Sequence, residues 1–137
     1  FLSHTSEVKF QAFGITLEKA FENSGLALTK TIFDGEVKKT KKIKIKIRGN
    51  DLESLLYNFL EEFLFLLDSE GFLLSKIRKL KIDKKNFKLE AEFIGDRAKN
   101  YEISDHVKAI TYNEMFVNRL KDRDKKDIWV CQVVVDV

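Results

Sequence analysis

The stretch from Asn50 to Gly71, NDLESLLYNFLEEFLFLLDSEG, decides the fold. Leu52, Leu55, Leu56, Phe59, Leu60, Phe63, Leu64 and Leu67 recur at i, i+3, i+4 and i+7, the period of one helical face. Asn50 with Glu53 three residues on forms a capping-box start, in which each side chain satisfies the other's free backbone N–H. Gly71 closes the helix, because the residue past a helix end often turns left-handed, which glycine does without strain. Phe65 and Leu66 widen the apolar stripe. The expectation is a central core helix, nearly surrounded by the rest of the chain.

Toward the N-terminus, residues 37–48 alternate, with Ile43, Ile45 and Ile47 on one side and Lys42, Lys44, Lys46 and Arg48 on the other. That is the pattern of a half-buried strand. Before it, Thr16 caps a helix running to about Ile32, with the stripe Leu17, Ala20, Phe21, Ser24, Ala27, Leu28 and Thr31. Residues 4–13 alternate with Val8, Phe10 and Ala12 on one side, a first strand. Toward the C-terminus, residues 76–83 and 87–94 read as a hairpin around Asp83-Lys84-Lys85-Asn86. Residues 95–106 read as a loop, Val107 to about Val117 as a strand, DRDKKD as a turn and Ile128 to Val135 as the last strand. The order is β-α-β-α-β-β-β-β. Strands and helices do not alternate regularly, so the class is α+β with a mostly antiparallel sheet rather than a doubly wound one.

With 137 residues and no linker, the chain reads as one domain over 1–137. Hydrophobic residues at 44% and twelve Phe imply a packed core. No apolar run approaches the roughly 20 residues that cross a bilayer, so no membrane partner is expected. One cysteine, Cys131, and two histidines exclude a disulfide framework and a cysteine-based zinc site. A reducing cytoplasm fits this usage. There is no G-x-x-x-x-G-K, G-x-G-x-x-G or G-x-S-x-G motif, and Cys131 falls in a strand as a core residue. No catalytic constellation assembles, and the chain reads as a non-enzyme.

Three features bear on binding. Lys42, Lys44, Lys46 and Arg48 form a basic strand face, and a second basic group, including Lys76, Arg78 and Lys81, lies on the hairpin. Such stripes neutralise phosphates or meet acidic partners. No aromatic side chains interleave with them as base stacking requires. A solvated face that deters edge pairing is the preferred reading over direct RNA binding. His4 and Glu7 have H-x-x-E spacing, but on a strand they point to opposite sides. At the other end, VVVDV places Asp136 after three valines, and Val137 adds the terminal carboxylate of the chain. Such oxygen clusters suit hard cations; from these residues alone, a solvated strand end is the simpler reading.

Together, HTSEVKFQAFGITLEKAFENS, DLESLLYNFLEEFLFLLDSEG, VKAITYNEM and VVVDV resemble, in order, blocks of the archease family, spanning nearly the whole chain. The resemblance implies a small α+β protein without activity of its own. It implies a cofactor of the RtcB-type, GTP-dependent RNA ligase of tRNA splicing and RNA repair, promoting ligase guanylylation and repeated turnover. RNA contact would then be indirect or weak. The family's metal ligands fall at Glu7, Asp136 and Val137, with His4 and Lys108 as neighbours, and the ion implied is divalent: calcium first, magnesium or manganese as alternatives. Glu7 stands where the family has Asp, one methylene shorter; Ser3 and Asn113 also differ from the usual residues, as does Asp105-His106 before the VKAITY block. The resemblance reverses the simpler reading of Asp136. The alternative function is a small RNA-binding or chaperone-like module acting through Lys42, Lys44, Lys46 and Arg48.

Overall fold

The computed structural model describes residues 6–103 and 107–137. The elements are β1 (Glu7–Gly14), α1 (Leu17–Ile32), β2 (Lys41–Arg48), α2 (Leu52–Glu70), β3 (Phe72–Asp83), β4 (Lys88–Arg97), β5 (Ala109–Lys121) and β6 (Asp127–Asp136), in the expected order. They form two three-stranded sheets, β1-β6-β5 and β2-β4-β3, and their pairings are antiparallel. The fold is α+β.

Both helices touch both sheets: α1 lies on β1, β6 and β3, and α2 on β5, β3, β2 and β4. The core lies where these surfaces meet. On α2, Leu55, Leu56, Phe59, Leu60, Phe63 and Leu66 are buried. The Phe59 ring centroid is 5.8 Å from that of Phe21, 5.1 Å from Phe63 and 5.8 Å from Phe93. One helix thus joins α1 and the second sheet through aromatic contacts. The stripe is narrower than expected on one side, because Phe65 is 54% exposed. It sits two positions from Phe63, and residues two apart do not share a helix face.

The capping box sits one residue later than the sequence pattern implies. Asp51, not Asn50, is the N-cap; its carboxylate accepts from the Ser54 N–H at 2.7 Å, and the Ser54 hydroxyl accepts from the Asp51 N–H at 3.1 Å. A charged acceptor at the positive end of the helix is favoured over a neutral one. Gly71 takes the left-handed conformation (φ 59°) at the other end. Thr16 caps α1 by accepting from the Lys19 N–H.

Two boundaries move. The hairpin strands are longer than expected, because Phe72, Leu73 and Leu74 are all buried and a strand covered on both faces shows no alternation. β4 runs on to Arg97 through Gly95 and Asp96, followed by a single turn of 3-10 helix at Ala98–Asn100. The expected loop is therefore shorter, and its residues 104–106, with Asp105 and His106, lie outside the described residues.

Buried Asp96 is what fixes this junction. It accepts hydrogen bonds from the Thr40 hydroxyl, the Tyr101 hydroxyl (2.7 Å) and the Asn100 amide (3.4 Å). Tyr101 in turn accepts from the Lys38 N–H, which ties the segment before β2 to the end of β4. The Thr40 bond first, then those of Tyr101 and the Arg97 backbone, hold the Asp96 carboxyl well below the usual carboxylate range. A depressed native pKa stabilises the fold above the unfolded-state value near 4 and loses that contribution as pH falls below it. Asp96→Asn is expected to lower stability at neutral pH and to flatten the acid limb of a denaturation-versus-pH curve. An unchanged acid limb would contradict this role.

Candidate functional site

The antiparallel register of β1 and β6 places Glu7 directly opposite Asp136. On the other side of β6, Ala109 is opposite the same Asp136. Residues directly opposite share a sheet face, with Cβ atoms about 4.5–5.5 Å apart. The pairs Val8/Val135, Phe10/Val133 and Ala12/Cys131 alternate with them and occupy the core face, so parity sends Glu7 and Asp136 outward. Glu7 is exposed and Asp136 half-buried.

Backbone bonds extend the cluster beyond the last pair. The Val137 N–H donates to the Ser6 oxygen at 2.9 Å, and the Lys108 N–H donates to the Asp136 oxygen at 2.7 Å. Val107 and Val137 also pack against the core. Four of the residues singled out in the sequence, Glu7, Lys108, Asp136 and Val137, therefore meet at one end of the β1-β6-β5 sheet. His4 and Ser3 lie outside the described residues.

The donor set suits a hard cation. Among the described residues no three His, Cys, Asp or Glu side chains converge as a metal cluster. Two carboxylates with a main-chain oxygen of Val137 and water would supply oxygen ligands only, the preference of calcium and magnesium. Calcium tolerates the looser geometry that the longer Glu7 arm implies.

Behind the carboxylates, the same face carries a polar network that sequence reasoning missed. Lys9 Nζ lies 3.0 Å from Glu114 Oε1. Gln11 donates to Gln132 Oε1 at 2.8 Å, and Gln132 donates to the Glu114 backbone oxygen at 2.7 Å. The source is a large bulge: β5 spans Thr111 to Phe116 while β6 advances only from Val134 to Gln132. Glu114 has φ 53° there, and the bulge folds over the outer face, where Val134 is only 1% exposed. The visible signal is the polar run Thr111-Tyr112-Asn113-Glu114, which breaks strand alternation.

The whole chain, residues 1–137, matches the model of the archease protein family (MTH1598/TM1083). The chain belongs to the archease family. It is 40% identical over 139 residues to the protein archease of Pyrococcus furiosus, covering 98% of this chain and 94% of that one. It is 34% identical over 147 residues to the protein archease of Methanosarcina barkeri, covering 100% and 94%. The solution structure of Methanobacterium thermoautotrophicum protein 1598 superposes with a TM-score of 0.70 at 31% identity, covering 99% of this chain and 96% of that one. A Thermotoga maritima crystal structure described as an archease, possible chaperone, has the same fold, with a TM-score of 0.67 at 17% identity over 99% and 94% of the two chains.

In this archease the remaining sequence candidates lie elsewhere. Lys42, Lys44, Lys46 and Arg48 sit on β2, an edge strand of the other sheet. Lys44 and Lys46 face Glu92 and Glu90 of β4, and Lys46 Nζ is 3.9 Å from Glu90. Cys131 is buried, and burial pushes its thiol up to about 12. A thiol held that high is not a nucleophile at neutral pH. No helix is long and apolar enough to cross a membrane among the described residues.

Proposed function

We propose that this archease is a non-catalytic activator of an RtcB-type, GTP-dependent RNA ligase, working through a divalent cation held by Glu7, Asp136 and a main-chain oxygen of Val137. The observation that carries the reading is the register of β1 and β6, which sets the two carboxylates side by side on an outward, accessible face. Bound there, a divalent ion supplies positive charge that offsets the charge of a nucleotide triphosphate during transfer. Lys108, exposed next to Asp136, adds a cation on the same rim. The chain's own residues hold and orient; the covalent chemistry belongs to the ligase. Burial of Cys131, which raises its thiol, accords with a role without turnover of its own, and the proposed setting is cytoplasmic.

Labelled GTP provides the test. Substoichiometric amounts of this protein are expected to raise the rate of ligase guanylylation and to sustain repeated turnover. Guanylylation that proceeds equally fast without it overturns the reading.

A further inference from the structure

The outward face of the β2-β4-β3 sheet brings together the two basic groups that are separate in sequence. Lys42, Lys44, Lys46 and Arg48 line one edge strand, and Lys76, Arg78 and Lys81 line the other. With strands about 4.8 Å apart, these rows run roughly 10 Å from each other, and within a row the charges recur about every 7 Å. The acidic residues Glu90 and Glu92 are on the central strand. Glu92 is sunk between the rows, its side chain 9% exposed and 4.0 Å from Lys79 Nζ. At one end of the face, Lys39, Lys41, Lys42, Lys76 and Arg78 line a cleft with Thr40 and Ile94 and no carboxylate. None of these five cations has an ion-pair partner among the described residues.

Edge protection explains lysines on β2, but not a cleft of five cations without an ion-pair partner among the described residues, drawn from two strands and the segment before them, with Glu92 opposite Arg78 already engaged by Lys79. The fully buried centre of a protein interface is more apolar than its rim. Of the large hydrophobic residues exposed among those described, Phe13, Ile15, Tyr112 and Leu120 lie outside the β2-β4-β3 sheet, and Phe65 borders the Lys46–Arg48 end of β2 but not the Lys39–Arg78 cleft. A phosphate backbone needs only cations and is recognised without stacking or apolar contact.

We propose that this face, centred on the Lys39–Arg78 cleft, docks the phosphate backbone of RNA without regard to sequence, at a site apart from the carboxylate cluster. The choice of RNA among polyanions rests on the ligase reading above. In that arrangement one sheet addresses the ligase and the other holds its substrate.

The test is fluorescence anisotropy of a labelled single-stranded oligouridine across a salt series. The parent protein is expected to bind with a steep salt dependence. Changing Lys41, Lys42, Lys76 and Arg78 together to Gln, all exposed positions, is expected to weaken binding at low salt at least about tenfold and to reduce the salt slope by about 2–3, near 0.7 for each lost phosphate contact. Equal binding and equal slope for the two proteins would overturn the proposal. So would tighter binding of labelled polyglutamate than of RNA, which would reassign the face to an acidic protein. Glu7→Gln with Asp136→Asn is expected to leave RNA binding intact while removing guanylylation stimulation, so the two readings fail separately.

Discussion

Replacing Phe59 with alanine is expected to destabilise the fold by about 3–5 kcal/mol, the range for removing a buried aromatic side chain from a packed core. Phe59 is fully buried, and its ring meets Phe21 of α1, Phe63 of its own helix and Phe93 of β4. Its three aromatic neighbours are themselves large, buried rings carried on three elements. The loss combines transfer free energy with an unfilled cavity. Because domains of this size are stable by only about 5–15 kcal/mol, the variant should stand close to its unfolding threshold. Urea unfolding monitored at Trp129 measures this directly. A loss below about 1 kcal/mol would mean that the aromatic cluster is not the centre of the core.

Asp136→Ala should have the opposite profile, with stability retained and function lost. Its side chain points away from the core, and it makes no side-chain hydrogen bond to another described residue. The bonds that secure this strand end use backbone atoms: Lys108 to Asp136 and Val137 to Ser6. Alanine preserves those bonds, so unfolding should shift by less than about 0.5 kcal/mol, as at other surface positions. With the ligase and labelled GTP, the variant is expected to return the guanylylation rate to that of ligase alone, a loss of essentially all stimulation. Stimulation at the parent level would exclude Asp136 from the activating site.

The sequence carried the element order because its two helices have strong 3.6-residue periods and local start and stop signals, Thr16 and Gly71 among them. It misplaced the α2 cap because Asn50, Asp51, Glu53 and Ser54 offer two overlapping pairs, of which the one with the charged Asp51 acceptor forms at the positive end of the helix. It shortened β3 and β4 because Phe72-Leu73-Leu74 is covered on both faces and Asp96 is satisfied by partners that are distant in sequence, such as Thr40. The candidate site is legible differently. Neither Glu7 nor Asp136 is distinctive alone; their meeting depends on pairing across 129 positions of chain separation, a register written in the apolar partners Val8, Phe10, Val133 and Val135. Family resemblance pointed to the pair, and the strand register supplies its geometry. The bulge over Val134 and the convergence of the two basic strands needed the fold itself.

Glu7 and Asp136 are proposed to act as one cation site, and calcium titration by calorimetry tests this most directly. The parent protein is expected to bind a single ion. Glu7→Gln, Asp136→Asn and the double variant should each lose it to a similar extent, because ligands of one ion are coupled rather than additive. Binding that persists in the double variant, or no binding by the parent at millimolar calcium, the weakest range of protein calcium sites, would contradict the account.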